Sequence, residues 1–274
     1  VNTFGLQDVW DVSDSLTITG GFRWDIYETK DVPVFNQAFL DRNGFANNAT
    51  LNGRGLFQPR ASVVWRGGDR LTIRGAAGLY GGGNPNVWIS NNYSNPGPLL
   101  GTATLIRNTN GTFTLNGVTA TPAQIAALGP QVLNNVQGGQ AIPQAFIDLV
   151  RTGGSALAVT NALDPNFEIP SQWRLSATVD YEADLGFLGD GWKLGGDVIW
   201  SRVRHAINYV DLRSRTNPAD GTLPDGRPRY VGVPANTGPN TDLLLTNTDN
   251  GYSWNLIARF NKKWTNGLFL NGAY

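Results

Sequence analysis

The sequence contains no cysteine, no methionine and only one histidine, His205. Without cysteine there are no disulfides, no thiolate metal ligands and no cysteine nucleophile. A single histidine excludes a metal site built from several imidazoles of this chain. Lys plus Arg and Asp plus Glu both number 21, so the net charge gives no indication of nucleic-acid binding. We therefore predict no metal site, no cofactor and no nucleic-acid partner.

The sequence also lacks an apolar run near the roughly 20 residues that a transmembrane helix needs. A membrane remains possible, because strands that cross a bilayer show only an alternation of apolar and polar residues. Such an alternation fills Leu56–Tyr80, where a glycine turn at 67–69 separates two strands of about ten residues, long enough to cross when tilted. The odd positions of this hairpin are mostly apolar: Phe57, Ala61, Val63, Trp65, Leu71, Ile73, Ala77 and Leu79.

The same alternation recurs along the chain and predicts about eight strands. Short turns alternate with three long connections: Glu28–Gly55, Gly81–Glu168 and Arg204–Asn250. This organisation is typical of outer-membrane barrels, which have short periplasmic turns and long extracellular loops. The predicted fold is therefore all-β, an antiparallel up-and-down segment of a transmembrane β-barrel. A soluble β-sandwich is the alternative, although it would not normally place every long connection at one end.

The longest connection is predicted to hold small elements of its own, and loops of this kind are usually functional. Thr102–Arg107 and Thr112–Val118 form a candidate hairpin around Asn-Thr-Asn-Gly. Thr121 followed by Pro122 predicts the start of a short helix that stops at Gly129, and Pro143–Arg151 predicts a second helix.

The tryptophans support a membrane. Eight of the nine fall at strand ends, and amphipathic aromatic rings favour the two interfaces of a bilayer. If they filled a sandwich core instead, strand middles would be favoured. The group beside the short turns is Trp10, Trp65, Trp192 and Trp264, and the group near the long connections is Trp24, Trp173, Trp200 and Trp254.

Several motifs resemble the TonB-dependent receptors of Gram-negative outer membranes, in particular the Oar-like branch. One is Gln7-Asp8-Val9-Trp10 followed by Leu16-Thr17-Ile18-Thr19-Gly20-Gly21-Phe22-Arg23-Trp24-Asp25. Others are Pro59-Arg60 and Leu71-Thr72-Ile73-Arg74-Gly75 with Gly78-Leu79-Tyr80. The Asn-rich run Trp88–Gly97 is the part closest to the Oar-like branch.

The resemblance implies a barrel of about 22 strands around a plug domain, energised through TonB. Residues 1–274 would then be a partial β-barrel domain, with the plug and the remaining strands outside it. Eight strands enclose an interior that side chains fill, whereas the inward set here is rich in charge. We therefore expect Val1–Val12 and Leu268–Tyr274 not to pair with each other, and each to pair with a strand outside this segment.

Two groups of residues are candidate sites. Trp88, Asn91, Asn92 and Tyr93 in the long connection, with Arg60, Arg74 and Arg174 on the polar faces, are candidates for binding a passing ligand or the plug. A ladder of cross-strand ion pairs is the alternative for the arginines. Arg202 and Arg204 are candidates for contacting lipid or lipopolysaccharide phosphates, or else carry ordinary charge at the base of a loop. Asp220, Asp225 and Asp249 are better explained as turn residues than as calcium ligands.

Catalysis has little support in the sequence. His205 stands alone, without a nucleophile-elbow motif nearby, and the run 81–83 of three glycines lacks the Lys-Ser/Thr of a phosphate loop. The leading hypothesis is a non-enzymatic TonB-dependent outer-membrane transporter of a sizeable, unidentified ligand. The alternative is a structural or adhesive surface barrel whose long loops bind partners.

Overall fold

The computed structural model describes residues 1–83, 85–97, 103–128, 144, 147–148, 150, 158–216, 218–232 and 241–274. The α-helices in these residues are α1 (Gln37–Asn43), α2 (Asn86–Ser94) and α3 (Pro122–Leu128). The strands are β1 (Asn2–Ser13), β2 (Leu16–Ile26), β3 (Gly55–Arg66), β4 (Leu71–Gly81), β5 (Leu105–Arg107), β6 (Phe113–Leu115), β7 (Val118–Thr119), β8 (Thr160–Leu163), β9 (Ser171–Ala183), β10 (Trp192–Asp211), β11 (Ser214–Thr216), β12 (Tyr230–Gly232), β13 (Asp242–Thr248), β14 (Tyr252–Lys263) and β15 (Phe269–Ala273).

Eight of these strands form one antiparallel meander in the order β1-β2-β3-β4-β9-β10-β14-β15. The predicted strand number and antiparallel pairing are confirmed for this part of the chain. Within the described residues the meander is open, since β1 is hydrogen-bonded only to β2 and β15 only to β14. The predicted absence of pairing between these two strands is therefore observed.

The two faces of the meander differ as the alternation predicts. In the hairpin of β3 and β4, Trp65 lies opposite Ile73 and Val63 lies opposite Gly75, so the odd positions share one face. This apolar face is exposed: Leu6, Leu256 and Trp254 retain 67%, 71% and 60% of their accessible surface. A monomer in water rarely exposes an apolar surface that extends across a whole sheet, so we expect this face to be covered by apolar surroundings.

The hydrophobic core lies mainly at one end of the sheet, where the three long connections meet. We call α1, α2, β8, β13 and the β10 extension 203–211 the loop assembly. Phe39 of α1 packs on Ala162 of β8 and Leu244 of β13, and Leu163 packs with Phe167 and Leu245. These contacts confirm that the long connections share one side. The short turns lie at the other ends of the strands.

A buried carboxylate joins the first and third connections of the loop assembly. Asp242 has no exposed surface and accepts from Arg213 Nη2 at 2.7 Å, from Arg42 Nε at 3.1 Å and from Asn43 Nδ2 at 3.2 Å. Asn36 joins the first connection to the second, donating to the Pro96 carbonyl at 3.0 Å and to Thr160 Oγ1 at 3.2 Å. The three connections are therefore one packed unit.

The expected extent of the third connection was wrong. We predicted Arg204–Asn250 to be a polar loop, but β10 runs on to Asp211 and β13 pairs with it antiparallel. In addition β8 pairs with β13 in parallel, so the sheet is not purely up-and-down. The cause is burial: the apolar side chains of β13 pack against elements of both other connections, which stabilises strands outside the meander.

The long second connection agrees with prediction in part. β5 and β6 form the expected hairpin, and α3 begins at Pro122, with Thr121 Oγ1 accepting from the Gln124 backbone N–H at 3.2 Å. The helix α2 was not predicted. The helix predicted at 143–151, and the stop predicted at residue 129, fall largely outside the described residues.

Candidate functional site

The polar face of the meander carries a chain of ion pairs across four strands. Asp180 of β9 pairs with Arg74 of β4 and with Arg259 of β14, whose Nη2 lies 2.7 Å from the carboxylate. Arg259 also contacts Asp197 of β10, Nε to Oδ2 at 3.0 Å. Of the candidate arginines, Arg74 is thus the one that forms the cross-strand ladder.

A missing side chain makes this ladder possible. Gly195 stands between Asp180 and Arg259 in the strand register, and a Cβ there would lie 2.5 Å from Arg259 Cζ. Arg259 therefore crosses β10 over the glycine to reach a carboxylate two strands away.

The other two candidate arginines meet at one tyrosine. Arg60 of β3, Gly78 of β4 and Arg174 of β9 occupy one row across three strands. The ring of Tyr80 lies over Gly78, where a Cβ would approach Tyr80 Cε2 to 3.1 Å. The guanidinium carbons of Arg60 and Arg174 lie 4.6 and 5.9 Å from the ring centroid, within cation–π range.

A buried amide fixes the position of Arg60. Gln58 is 1% exposed, and its Oε1 accepts from Arg60 Nη2 at 3.2 Å and from the Gly81 backbone N–H at 3.0 Å. Its Nε2 donates to Asp25 Oδ2 at 2.8 Å, and Asp25 in turn pairs with Arg23. Arg60 is thus held by an amide side chain that is itself fixed by Asp25 and by the backbone of Gly81.

Tyr80 separates two hollows on the polar face. One, of about 470 Å³, is lined by Arg60 and Arg23 among others. The other, of about 480 Å³, is lined by Arg174, Gln172, His205 and the glycines 81–83. Burial lowers the pKa of the His205 imidazole below its ordinary value, and the charge of Arg204 lowers it further.

The candidates on α2 lie inside the loop assembly. Trp88 stacks on Tyr209 with ring centroids 4.3 Å apart and packs against the Leu163 cluster. Asn92 is 2% exposed, and the Tyr93 hydroxyl donates to the Asp31 carbonyl at 2.9 Å. Asn91 is half-buried, and its carbonyl accepts from the Asn95 N–H that closes the helix. The structure thus separates this group from Arg60 and Arg174, and its aromatic side chains anchor the helix.

Tyr80, Gln58, Gly78 and His205 were not among the candidate residues. Tyr80 and Gln58 lie on the same polar face as the arginines, and their place in the alternation could have identified them as candidates from the sequence. The register between strands, which places Gly78 between the two arginines, is a tertiary property.

Comparison with known proteins identifies the family. The family model described as outer membrane beta barrel domain matches residues 2–274. The chain belongs to this family. No curated protein matches it. Among solved structures the barrel domain is similar to the siderophore receptor PirA from Pseudomonas aeruginosa, with 11% identity and a TM-score of 0.45 over 98% of this chain and 32% of that one. The barrel domain thus spans about a third of that receptor.

The family assigns the apolar face of the barrel domain to the lipid of an outer membrane. No α-helix in the described residues is long and apolar enough to cross a membrane. Trp200 and Trp254 are register partners with ring centroids 6.2 Å apart near the loop end, and Trp192 packs edge-on against Trp264 at 5.9 Å near the turn end. Aromatic pairs at both ends of the apolar face match the interfacial rings of outer-membrane barrels.

Arg202 and Arg204 of the barrel domain are both exposed, beyond Trp200. Arg202 lies opposite Trp173 and Tyr252 and continues the apolar-face register, as expected. The register shifts between Val203 and His205, so the alternation is interrupted at Arg204. Contact of Arg202 and Arg204 with lipid phosphates stays a prediction.

Two of the aspartates considered for calcium, Asp220 and Asp225, precede turn glycines. Gly221 and Gly226 have φ of 70° and 84°, as turns after Asp220 and Asp225 require. Asp225 pairs with Arg227, whose hydrogen bond lowers the pKa of the carboxyl. Among the described residues no group of three or more His, Asp or Glu side chains could hold a metal ion.

Proposed function

We propose that this chain is part of the wall of a TonB-dependent transporter of Oar-like type in a Gram-negative outer membrane, and that its polar face lines the path of a sizeable ligand. The observation that carries the proposal is the polar face itself. It presents charged side chains in an open sheet whose edge strands have one neighbour each. A wide hydrated lumen accommodates such a face, whereas a small closed barrel fills its interior with side chains.

In this arrangement the remaining strands of the barrel pair with β1 and β15, because an unpaired strand edge in lipid leaves backbone groups without partners. The plug domain contacts the polar face, and the loop assembly lies at the cell surface. Lipid and lipopolysaccharide cover the apolar face, with Arg202 at the headgroups.

The test uses bacteria that carry the full-length gene. Spent growth medium is compared by mass spectrometry for the parent, a strain lacking this protein and a strain lacking TonB. Transport predicts at least one compound that the parent removes and that both deletion strains leave behind. If removal requires this protein but not TonB, the TonB-dependent mechanism is wrong.

A second candidate is an adhesive barrel, favoured by one observation. Val32, Phe35 and Val87 of the packed surface connections are 57%, 43% and 72% exposed, which offers apolar contact points to a partner. If the protein is an adhesin, deleting it should abolish cell attachment and leave the composition of the medium unchanged.

A further inference from the structure

Several arginines on the polar face of the meander have a carboxylate partner. Arg23 pairs with Asp25, Arg74 with Asp180, and Arg259 with Asp180 and Asp197. Within the described residues Arg60 and Arg174 have no carboxylate within 4.0 Å. Two uncompensated positive charges therefore stand in one row of the sheet.

Other unpaired cations on this face, such as Arg66 and Lys193, do not share an organised site. Arg60 and Arg174 differ because both lie against the ring of Tyr80, at 4.6 and 5.9 Å from its centroid. Because no carboxylate within ion-pair distance neutralises either charge, an anion bound beside the ring is attracted to both guanidinium groups. The guanidinium fork suits carboxylate and phosphate groups, which it binds through two parallel hydrogen bonds.

The side chains around the two arginines are held by hydrogen bonds and close contacts. The buried Gln58 accepts a hydrogen bond from Arg60, and the missing side chain at Gly78 leaves room for the Tyr80 ring beside both arginines. In the part of the chain that the structure describes, no Asp or Glu lines the hollow of about 480 Å³ that contains Arg174, or the hollow of about 470 Å³ that contains Arg60. An anion that enters either hollow meets one of these two guanidinium groups beside Tyr80, together with an amide side chain.

We propose that Arg60, Tyr80 and Arg174 form an oxyanion-binding site on the lumen wall, and that the ligand carries carboxylate or phosphate groups. The proposal rests on the proposed transport function in treating this anion as cargo. Binding itself requires neither TonB nor an energy source.

The experiment measures anion binding to the purified full-length protein in detergent. Equilibrium dialysis uses radiolabelled citrate and inorganic phosphate as anionic probes, and radiolabelled spermidine as a cationic probe. The variants are Arg60→Gln, Arg174→Gln and Tyr80→Leu. Arg66→Gln is the matched control, since Arg66 lies on the same strand and the same face as Arg60. Heat-modifiable migration in gels confirms that each variant is folded.

Wild-type protein is expected to bind citrate or phosphate in preference to spermidine. Each arginine variant weakens anion binding by about tenfold, the loss expected for one charge-assisted hydrogen bond. Tyr80→Leu also weakens it, although both charges remain, because the ring that positions them is lost. Arg66→Gln binds like wild type.

The proposal is overturned if wild type shows no preference for either anion, or if Arg66→Gln weakens binding as much as Arg60→Gln. Preference for citrate or for phosphate tells which oxyanion the site favours. Failure of TonB-dependent uptake with intact binding rejects the transport function alone. Intact uptake with no anion binding rejects the site alone.

Discussion

Replacing Asp242 by Asn tests whether one carboxylate holds the loop assembly together. The substitution keeps the shape of the side chain and removes its charge. Arg213, which is 3% exposed, and Arg42, whose side chain is 10% exposed, then both lose their ionic contact with this carboxylate. Removing one partner of a buried ion pair costs about 3–5 kcal/mol. We expect the loop assembly to lose stability in this range, and the membrane strands to keep theirs.

Hydrogen exchange measured by mass spectrometry reads this loss locally. Peptides covering 36–47 and 241–248 should lose protection by roughly two to four orders of magnitude, since each 1.4 kcal/mol is about tenfold. Peptides from β9 and from the membrane part of β10 should be unchanged.

The matched control is Asp225→Asn in the same connection. Asp225 also pairs with an arginine, but the side chains of Asp225 and Arg227 are 51% and 75% exposed, so water replaces the lost contact. Adding Arg213→Met to Asp242→Asn should restore part of the protection, because it removes the buried cation. Equal protection in Asp242→Asn and Asp225→Asn would refute the assignment of Asp242 as the central contact.

Three further predictions concern the sheet and its orientation. Ile73→Arg on the lipid face should lower the free energy of unfolding by about 2–4 kcal/mol near mid-membrane, and Thr72→Arg on the polar face should lower it clearly less, as measured by reversible unfolding in liposomes. Equal losses of stability would contradict the register. Gly195→Val should destabilise by about 1–3 kcal/mol because its side chain collides with Arg259, whereas Gly196→Val, with no heavy atom closer than 4.0 Å to its Cβ, should not. In intact cells a cysteine at Asn110 should be labelled by an impermeant maleimide and one at Gly68 should not, and strong labelling at Gly68 would reverse the topology.

The meander could be predicted from sequence because its determinants are local. Each membrane strand has one lipid face and one polar face, so a period of two is written into consecutive residues such as Leu71, Thr72 and Ile73. The strands of the loop assembly have no such pattern. All four residues of β8 are buried, including the polar Asn161 and Thr160, so no alternation of apolar and polar residues marks this strand. Thr160 meets Asn36, which lies 124 residues away in sequence.

The candidate site could be predicted residue by residue, but not as a group. Strand parity placed Arg60, Arg74 and Arg174 on the polar face, which the pairing confirms. Parity does not say that Arg74 is neutralised by Asp180 while Arg60 and Arg174 share Tyr80. Those outcomes depend on which residues align across strands, and on the gap that Gly78 leaves in one row.

The parallel pairing of β8 with β13 imposes an order on assembly. Two intervening meander strands, β9 and β10, separate these partners along the chain, and the contact of Arg42 with Asp242 spans 200 residues. Closing so long a segment is slow unless other structure first brings its ends together. The meander through β10 brings these ends close together. The loop assembly therefore cannot form until β13 has been synthesised and has paired with β8. During insertion, the first two connections would therefore be open to chaperones and proteases for much longer than the strands that carry them.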